Sequence, residues 1–156
     1  MAAQELLKAF MREAAQQIYV VTARHEDKYA AFTAAAMSAS LTPPSMIVTV
    51  EKRSRSHNPL VSSSAFVLHL LSQDQEWLAR LMGDHVEPAE KLRRAGYVET
   101  EYGPVIAGVR NYLFLRISFT KDLGDNTLVL GEVVGGRVEG VERPLLYRRR
   151  SYLTTA

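Results

Sequence analysis

The runs Tyr112-Leu113-Phe114-Leu115-Arg116-Ile117-Ser118-Phe119 and Thr127-Leu128-Val129-Leu130-Gly131-Glu132-Val133-Val134 flank the cluster Asp122-Leu123-Gly124-Asp125-Asn126. β-Branched, aromatic and leucine-rich segments on either side of Gly, Asp and Asn make a β-hairpin. From Gly103 onward the pattern is strand throughout. Gly135-Gly136 breaks or bends the second arm, and Val141 to Tyr152 is a tail with Leu145, Leu146 and Tyr147 available for packing. Earlier segments supply partners for this hairpin. They are Ile18-Tyr19-Val20-Val21-Thr22, then Tyr29 to Met37 after the polar turn His25-Glu26-Asp27-Lys28, Ser45 to Val50, and Phe66 to Leu71. About six strands with helices outside them predict a mainly β fold with helical additions, a barrel rather than a βαβ sandwich.

The helices are fewer. Leu6, Leu7, Phe10, Met11, Ala14 and Ile18 recur at helical spacing, which predicts an amphipathic helix over 3–17 with Glu5, Lys8, Arg12 and Glu13 outward. Ser72-Gln73-Asp74-Gln75 is a capping box. The helix it starts turns Trp77, Leu78, Leu81 and Met82 inward and ends at Gly83. Pro88 to Ala95 forms a second short helix stopped by Gly96, and Pro59 to Ser63 a helical turn. A chain of 156 residues builds a core without disulfide or metal staples, so one domain over 1–156 is expected.

Several chemistries are excluded. With no cysteine there is no thiol catalysis, iron–sulfur ligation or disulfide. No G-x-S-x-G elbow, Walker A loop or G-x-G-x-x-G is present, so a Rossmann dinucleotide site is unsupported. His25, His57, His69 and His85 share no ligand spacing, and no metal site is assigned. His69 alternates with apolar neighbours and reads as outward-facing or satisfied in the core. His57 either assists a phosphate or is a plain loop residue. A formal charge of +2 is too small to argue for nucleic acid, and Arg148-Arg149-Arg150 reads as a solvated tail face. The N-terminal stretch mixes acids with its apolar residues. No run approaches the ~18 apolar residues of a membrane span. The chain therefore reads as soluble and cytoplasmic, without a membrane partner.

One stretch carries most of the functional signal, Ala30 to Leu60. It opens on small residues, Ala34-Ala35-Ala36 and Ser38-Ala39-Ser40. It turns at Pro43-Pro44 and runs through Met46-Ile47-Val48-Thr49-Val50 into a basic loop, Lys52-Arg53-Ser54-Arg55-Ser56-His57-Asn58. Small side chains let a ligand reach backbone N–H groups, while Arg and Ser donate to phosphate oxygens. Together they suit a flat, phosphorylated cofactor. The alternative is an alanine-rich packing segment followed by a solvated basic turn.

Ser38-Ala39-Ser40-Leu41-Thr42-Pro43-Pro44, the strand after it and Arg53-Ser54-Arg55-Ser56-His57 resemble the core signature of the short-chain flavin reductases. These are split-barrel FMN-binding proteins, many of them reductase components of two-component flavin monooxygenases. The likeness continues through Leu71 to Gln75, Gly103 to Gly108, Gly124 to Val133 and Pro144 to Tyr147, covering nearly the whole chain.

The resemblance implies a split β-barrel of the FMN-binding type and an NAD(P)H-dependent reductase of FMN or FAD, using NADH or NADPH as co-substrate. It also implies a homodimer and a flavin-dependent monooxygenase as partner. Thr33, Ala34, Ala35, Ala36, Ser38 and Ala39 would line the isoalloxazine ring. Arg53, Ser54, Arg55 and Ser56 would hold the phosphate, and His85 would add a flavin contact. Asn126, Tyr147 and Tyr152 would approach the nicotinamide. Hydride transfer between two cofactors needs no general acid or base, so no catalytic side chain is assigned.

Four departures from the pattern stand out. Ala30, Ala31 and Phe32 replace a usual Gly, and Ala34 and Ala35 replace hydrogen-bonding residues. Asn126 replaces a usual His. Arg148-Arg149-Arg150-Ser151 lacks the usual glycine, and its arginines could favour a phosphorylated dinucleotide. Two other readings remain beside the reductase: a flavin-binding electron-transfer or storage protein, kept open by Asn126, and a barrel-shaped interaction module.

Overall fold

The computed structural model describes residues 1–154; positions 155 and 156 of the expected domain lie outside the described residues. Helix α1 (Ala3–Glu13) carries Glu5 in its first turn and Arg12 in its last, both favourable to the helix dipole. It ends at Glu13 rather than at residue 17, because Ala14 turns extended and β1 (Gln16–Gln17) pairs with the tail of the chain. Gln17 Nε2 donates to the carbonyls of Leu71 and Leu145, 3.1 Å each, and these long-range bonds displace the last helical turn. None of the residues of α1 is buried.

Strands β2 (Tyr19–His25) and β3 (Lys28–Ala34) form a hairpin, followed by a second hairpin of β4 (Ala36–Leu41) and β5 (Pro44–Glu51). The single strand expected from Tyr29 to Met37 is thus two strands divided at Ala35. Helix α2 (His57–Ser62) and strand β6 (Ala65–Leu70) come next. Helices α3 (Glu76–Met82) and α4 (Pro88–Ala95) precede the small hairpin of β7 (Tyr97–Thr100) and β8 (Gly103–Ile106). The long hairpin pairs β9 (Asn111–Asp122) with β10 (Asn126–Arg137), and β11 (Leu146–Arg148) and β12 (Ser151–Leu153) close the described chain. Twelve strands are present among the described residues, against about six expected. The shortest carry too few residues for an alternating pattern to show.

The main sheet is antiparallel, in the order β3-β2-β6-β9-β10-β5-β4. Its two outer strands, β3 and β4, are consecutive in the chain and separated by Ala35 alone. Opposite rims of one sheet joined by one residue force the sheet to curl round on itself without pairing shut. In the long hairpin the register shifts between Val133 and Gly135, so the double glycine bends β10 without ending it. Gly136 has φ +144°, and a Cβ there would collide with the Tyr112 carbonyl.

Period-two alternation feeds two cores. Val21, Ala30, Val48, Phe66, Leu68, Leu115 and Val129 fill the inside of the curl, with Leu60 of α2 closing one end. Val20, Ala31, Leu71 and Ile106 face the other way, under Leu78, Ala79 and Met82 of α3 and Leu92 of α4. Ser72 and Gln75 form the expected capping box, and Gly83 and Gly96 end α3 and α4. Trp77 departs from expectation and is 54% exposed. It lies about 150° around the helix from the face centred on Leu78, Ala79 and Met82. His69 is fully buried and satisfied on both sides, with Nδ1 bonded to the Val20 carbonyl (3.1 Å) and Nε2 receiving the Ile106 N–H (3.0 Å).

Candidate functional site

Where the sheet fails to close, a cavity of about 640 Å³ opens between the end of β3, the loop after β5, and the α3–α4 connection. Phe32, Thr33, Ala34 and Ala35 form one wall. Edge strand β3 has one side free of β2, and Ala31 tells which residues use it. Its N–H donates to Ser56 Oγ (2.9 Å), and its carbonyl accepts from Ser56 Oγ and Lys91 Nζ. By the two-residue period of a strand, the backbone of Thr33 points the same way, into the cavity.

The basic loop forms the opposite end, with Arg53, Ser54, Arg55 and Ser56 all lining the cavity. It is tied tightly. Ser54 N–H donates to the Glu51 carbonyl (3.0 Å), His57 N–H to the Ser54 carbonyl (3.1 Å), and Ser56 N–H to Ser54 Oγ (3.1 Å). Ser56 is buried and its hydroxyl is committed to Ala31, so it anchors the loop to β3. Arg55 pairs with Glu87 at 3.2 Å, and both groups are well exposed. His57 bonds Thr127 Oγ1 (2.8 Å) and Asn58 Oδ1 (2.9 Å), tying α2 to β10.

His85 and Asn126 line the same cavity, which sets Asn126 apart from Tyr147 and Tyr152, the residues it was expected to join at the nicotinamide. A second cavity of about 600 Å³ adjoins it, sharing Thr33, Gly83 and Asp84. Tyr147 and Tyr152 face this one, edge to face at 5.2 Å, with the Arg80 guanidinium 4.9 Å above the Tyr152 ring. Burial raises the Tyr152 phenol pKa, and Arg80 opposes it. Ala36, Ser38 and Ala39 enter neither cavity. They lie on edge strand β4, with Ser38 and Ala39 exposed and Ala36 half-buried against the inner core.

A model of the flavin reductase like domain matches residues 11–156. The chain belongs to this family. It is 29% identical over 119 residues to the reductase component of the FADH(2)-dependent resorcinol hydroxylase of Rhizobium sp. (strain MTP-10005), covering 76% of this chain and 66% of that protein. It is 33% identical over 101 residues to an NADH-dependent FAD reductase of Streptomyces globisporus, covering 62% and 56%. The matches thus span less than two thirds of either relative. The solved NADH:FAD oxidoreductase SgcE6 of Streptomyces globisporus C-1027, in complex with NAD and FAD fragments, superposes with a TM-score of 0.86 at 26% identity, over 99% of this chain and 93% of that one.

The curled, unclosed sheet of this flavin reductase like domain is of the split-barrel type, as the sequence resemblance implied. Its cavity fits a phosphorylated flavin. One end is walled by the methyl groups of Ala34 and Ala35 and by free main chain, while the other carries Arg53, Ser54 and Arg55. Among the described residues no His, Asp or Glu cluster could hold a metal ion.

Sequence reading missed Thr49, Glu51, Asp84 and above all Lys91, which lines the cavity at 6% exposure. Lys91 Nζ donates to the carbonyls of Ala31 (3.2 Å) and Met82 (2.6 Å). Burial holds its ammonium below the usual pKa, opposed by Asp84 and assisted by Arg55. A signal for it existed: Lys91 sits three residues after Pro88 and beside Leu92, on the apolar stripe of α4.

Proposed function

We propose that this domain is an NAD(P)H-dependent flavin reductase that passes a hydride from nicotinamide to FMN or FAD. The observation that carries the reading is the pair of cavities meeting at Thr33, Gly83 and Asp84, one ending in the arginine–serine loop and the other lined by paired tyrosines. When bound, the flavin supplies the hydride-accepting ring and the nicotinamide cofactor the hydride. The chain's own work is binding and alignment. Ala34 and Ala35 leave room for a flat ring beside the Thr33 main chain. Arg53, Ser54 and Arg55 hold a phosphate, with Ser56 setting their loop. His85 and Asn126 border the ring, while Tyr147 and Tyr152 receive the nicotinamide. No side chain is asked to move a proton.

The same reading makes the protein a cytoplasmic homodimer that feeds reduced flavin to a monooxygenase. Two features support the dimer. Helix α1 exposes Leu6, Leu7, Phe10 and Met11, with Phe10 at 72%. Edge strand β4 exposes Met37 and Leu41 beside unpaired backbone groups. Ala36, Ser38 and Ala39 lie on this strand, so their part in flavin binding is at the subunit seam. Oxidation of NADH and NADPH with FMN or FAD added tests the proposal. Turnover above the flavin-free blank is expected. Flavin binding without turnover leaves the electron-transfer or storage reading, which Asn126 favours.

A further inference from the structure

We propose that Lys91 is the counter-charge for the phosphate of the bound flavin, and the residue that makes the site prefer FMN to riboflavin. This rests on reading the larger cavity as the flavin site.

An ammonium carries three N–H donors. Two of those on Lys91 are used by the Ala31 and Met82 carbonyls, and among the described residues no carboxylate pairs with it. A buried cation held only by carbonyls is unstable without an anion, and a neutral donor would pin the same two carbonyls at less cost. The surrounding charges do not neutralise it. Asp84 acts on Lys91 only through space while its Oδ1 accepts the His85 N–H (2.9 Å), and Arg55 opposes it with like charge. The remaining N–H is therefore available to a ligand anion.

Position says which part of the ligand that is. The Ala31 carbonyl is shared between Lys91 Nζ and Ser56 Oγ, so the ammonium is one carbonyl away from the arginine–serine loop. Lys91 thus sits at the phosphate end of the cavity, not along the Ala34–Ala35 wall. Arg53 and Arg55 are exposed, and Arg55 is shared with Glu87, so water and salt screen them. Lys91 is screened far less. It therefore carries more of the difference between a flavin with a phosphate and one without.

The test is titration of wild type, Lys91→Met and Lys91→Gln with FMN and with riboflavin, followed by quenching of flavin fluorescence. Both variants should lose about 10- to 100-fold in FMN affinity, the worth of a hydrogen bond to a charged group. Riboflavin affinity should stay within about twofold, because the ring-binding wall is untouched. Equal loss for both flavins would make Lys91 a pin for α4 and overturn the proposal, as would FMN binding at wild-type strength. Lys91→Gln keeps a donor for the two carbonyls and gives the answer should Lys91→Met fail to fold. A wild-type protein that binds neither flavin refutes the flavin reading itself.

Discussion

Acidification should destabilise this protein through His69. The ring is fully buried between β2 and β9, and both nitrogens are used in ways only the neutral form can satisfy. Nδ1–H donates to the Val20 carbonyl, while Nε2 must accept the Ile106 N–H. Burial pulls its pKa from 6.5 down to about 4, and the Val20 bond opposes this only partly. The unfolded chain therefore takes up a proton at a pH where the folded chain does not, and stability falls as pH drops from 6.5 towards 4. The full difference is about 3 kcal/mol, and about 2 kcal/mol is already lost at pH 5. Urea unfolding of wild type and His69→Gln at pH 7.5 and pH 5 isolates the effect, because groups common to both cancel in the comparison. His69→Gln should start less stable yet lose less on acidification. Parallel losses in the two proteins would refute the assignment.

Gly131→Ala should cost about 1–3 kcal/mol by overpacking. Its Cβ would lie 2.8 Å from Phe66 Cε1 and 2.9 Å from Leu115 Cβ, and an unchanged urea midpoint would contradict that geometry. Arg55→Ala should weaken FMN binding by only about 1 kcal/mol, since its guanidinium is exposed and shared with Glu87; identical titration curves would remove Arg55 from the phosphate site. If the proposed dimer forms through α1, Phe10→Asp should shift sedimentation from dimer to monomer without altering helix content, and a variant that sediments like wild type would take α1 out of the proposed interface.

The legible parts of the sequence were those decided by near neighbours. The capping box at Ser72 and Gln75 needs residues three apart, Gly96 stops α4 by itself, and the 112–134 hairpin announces its own turn. The basic loop was legible too, because Arg and Ser alternate over four consecutive positions. What escaped was decided across the fold. The break at Ala35 follows from β3 pairing with β2 while β4 pairs with β5, and nothing between Ala30 and Ala36 signals it. Helix α1 stops where Gln17 finds carbonyls at Leu71 and Leu145. His57 read as either a phosphate contact or a plain loop residue, and its ring is bonded to Thr127, far away in the chain. Lys91 escaped because a charged residue in a helix is assigned to solvent by default.

The gap in the barrel also bears on how freely this site can drift. Because Thr33 turns its own amide and carbonyl towards whatever occupies the opening, recognition along that rim is written in atoms that every residue type carries. On the proposed reading, methyls at Ala34 and Ala35 in place of hydroxyl or amide side chains would therefore strip little from the ligand's grip. A seam left unstitched gives this wall a tolerance to mutation that the charged end, dependent on particular side chains, does not share.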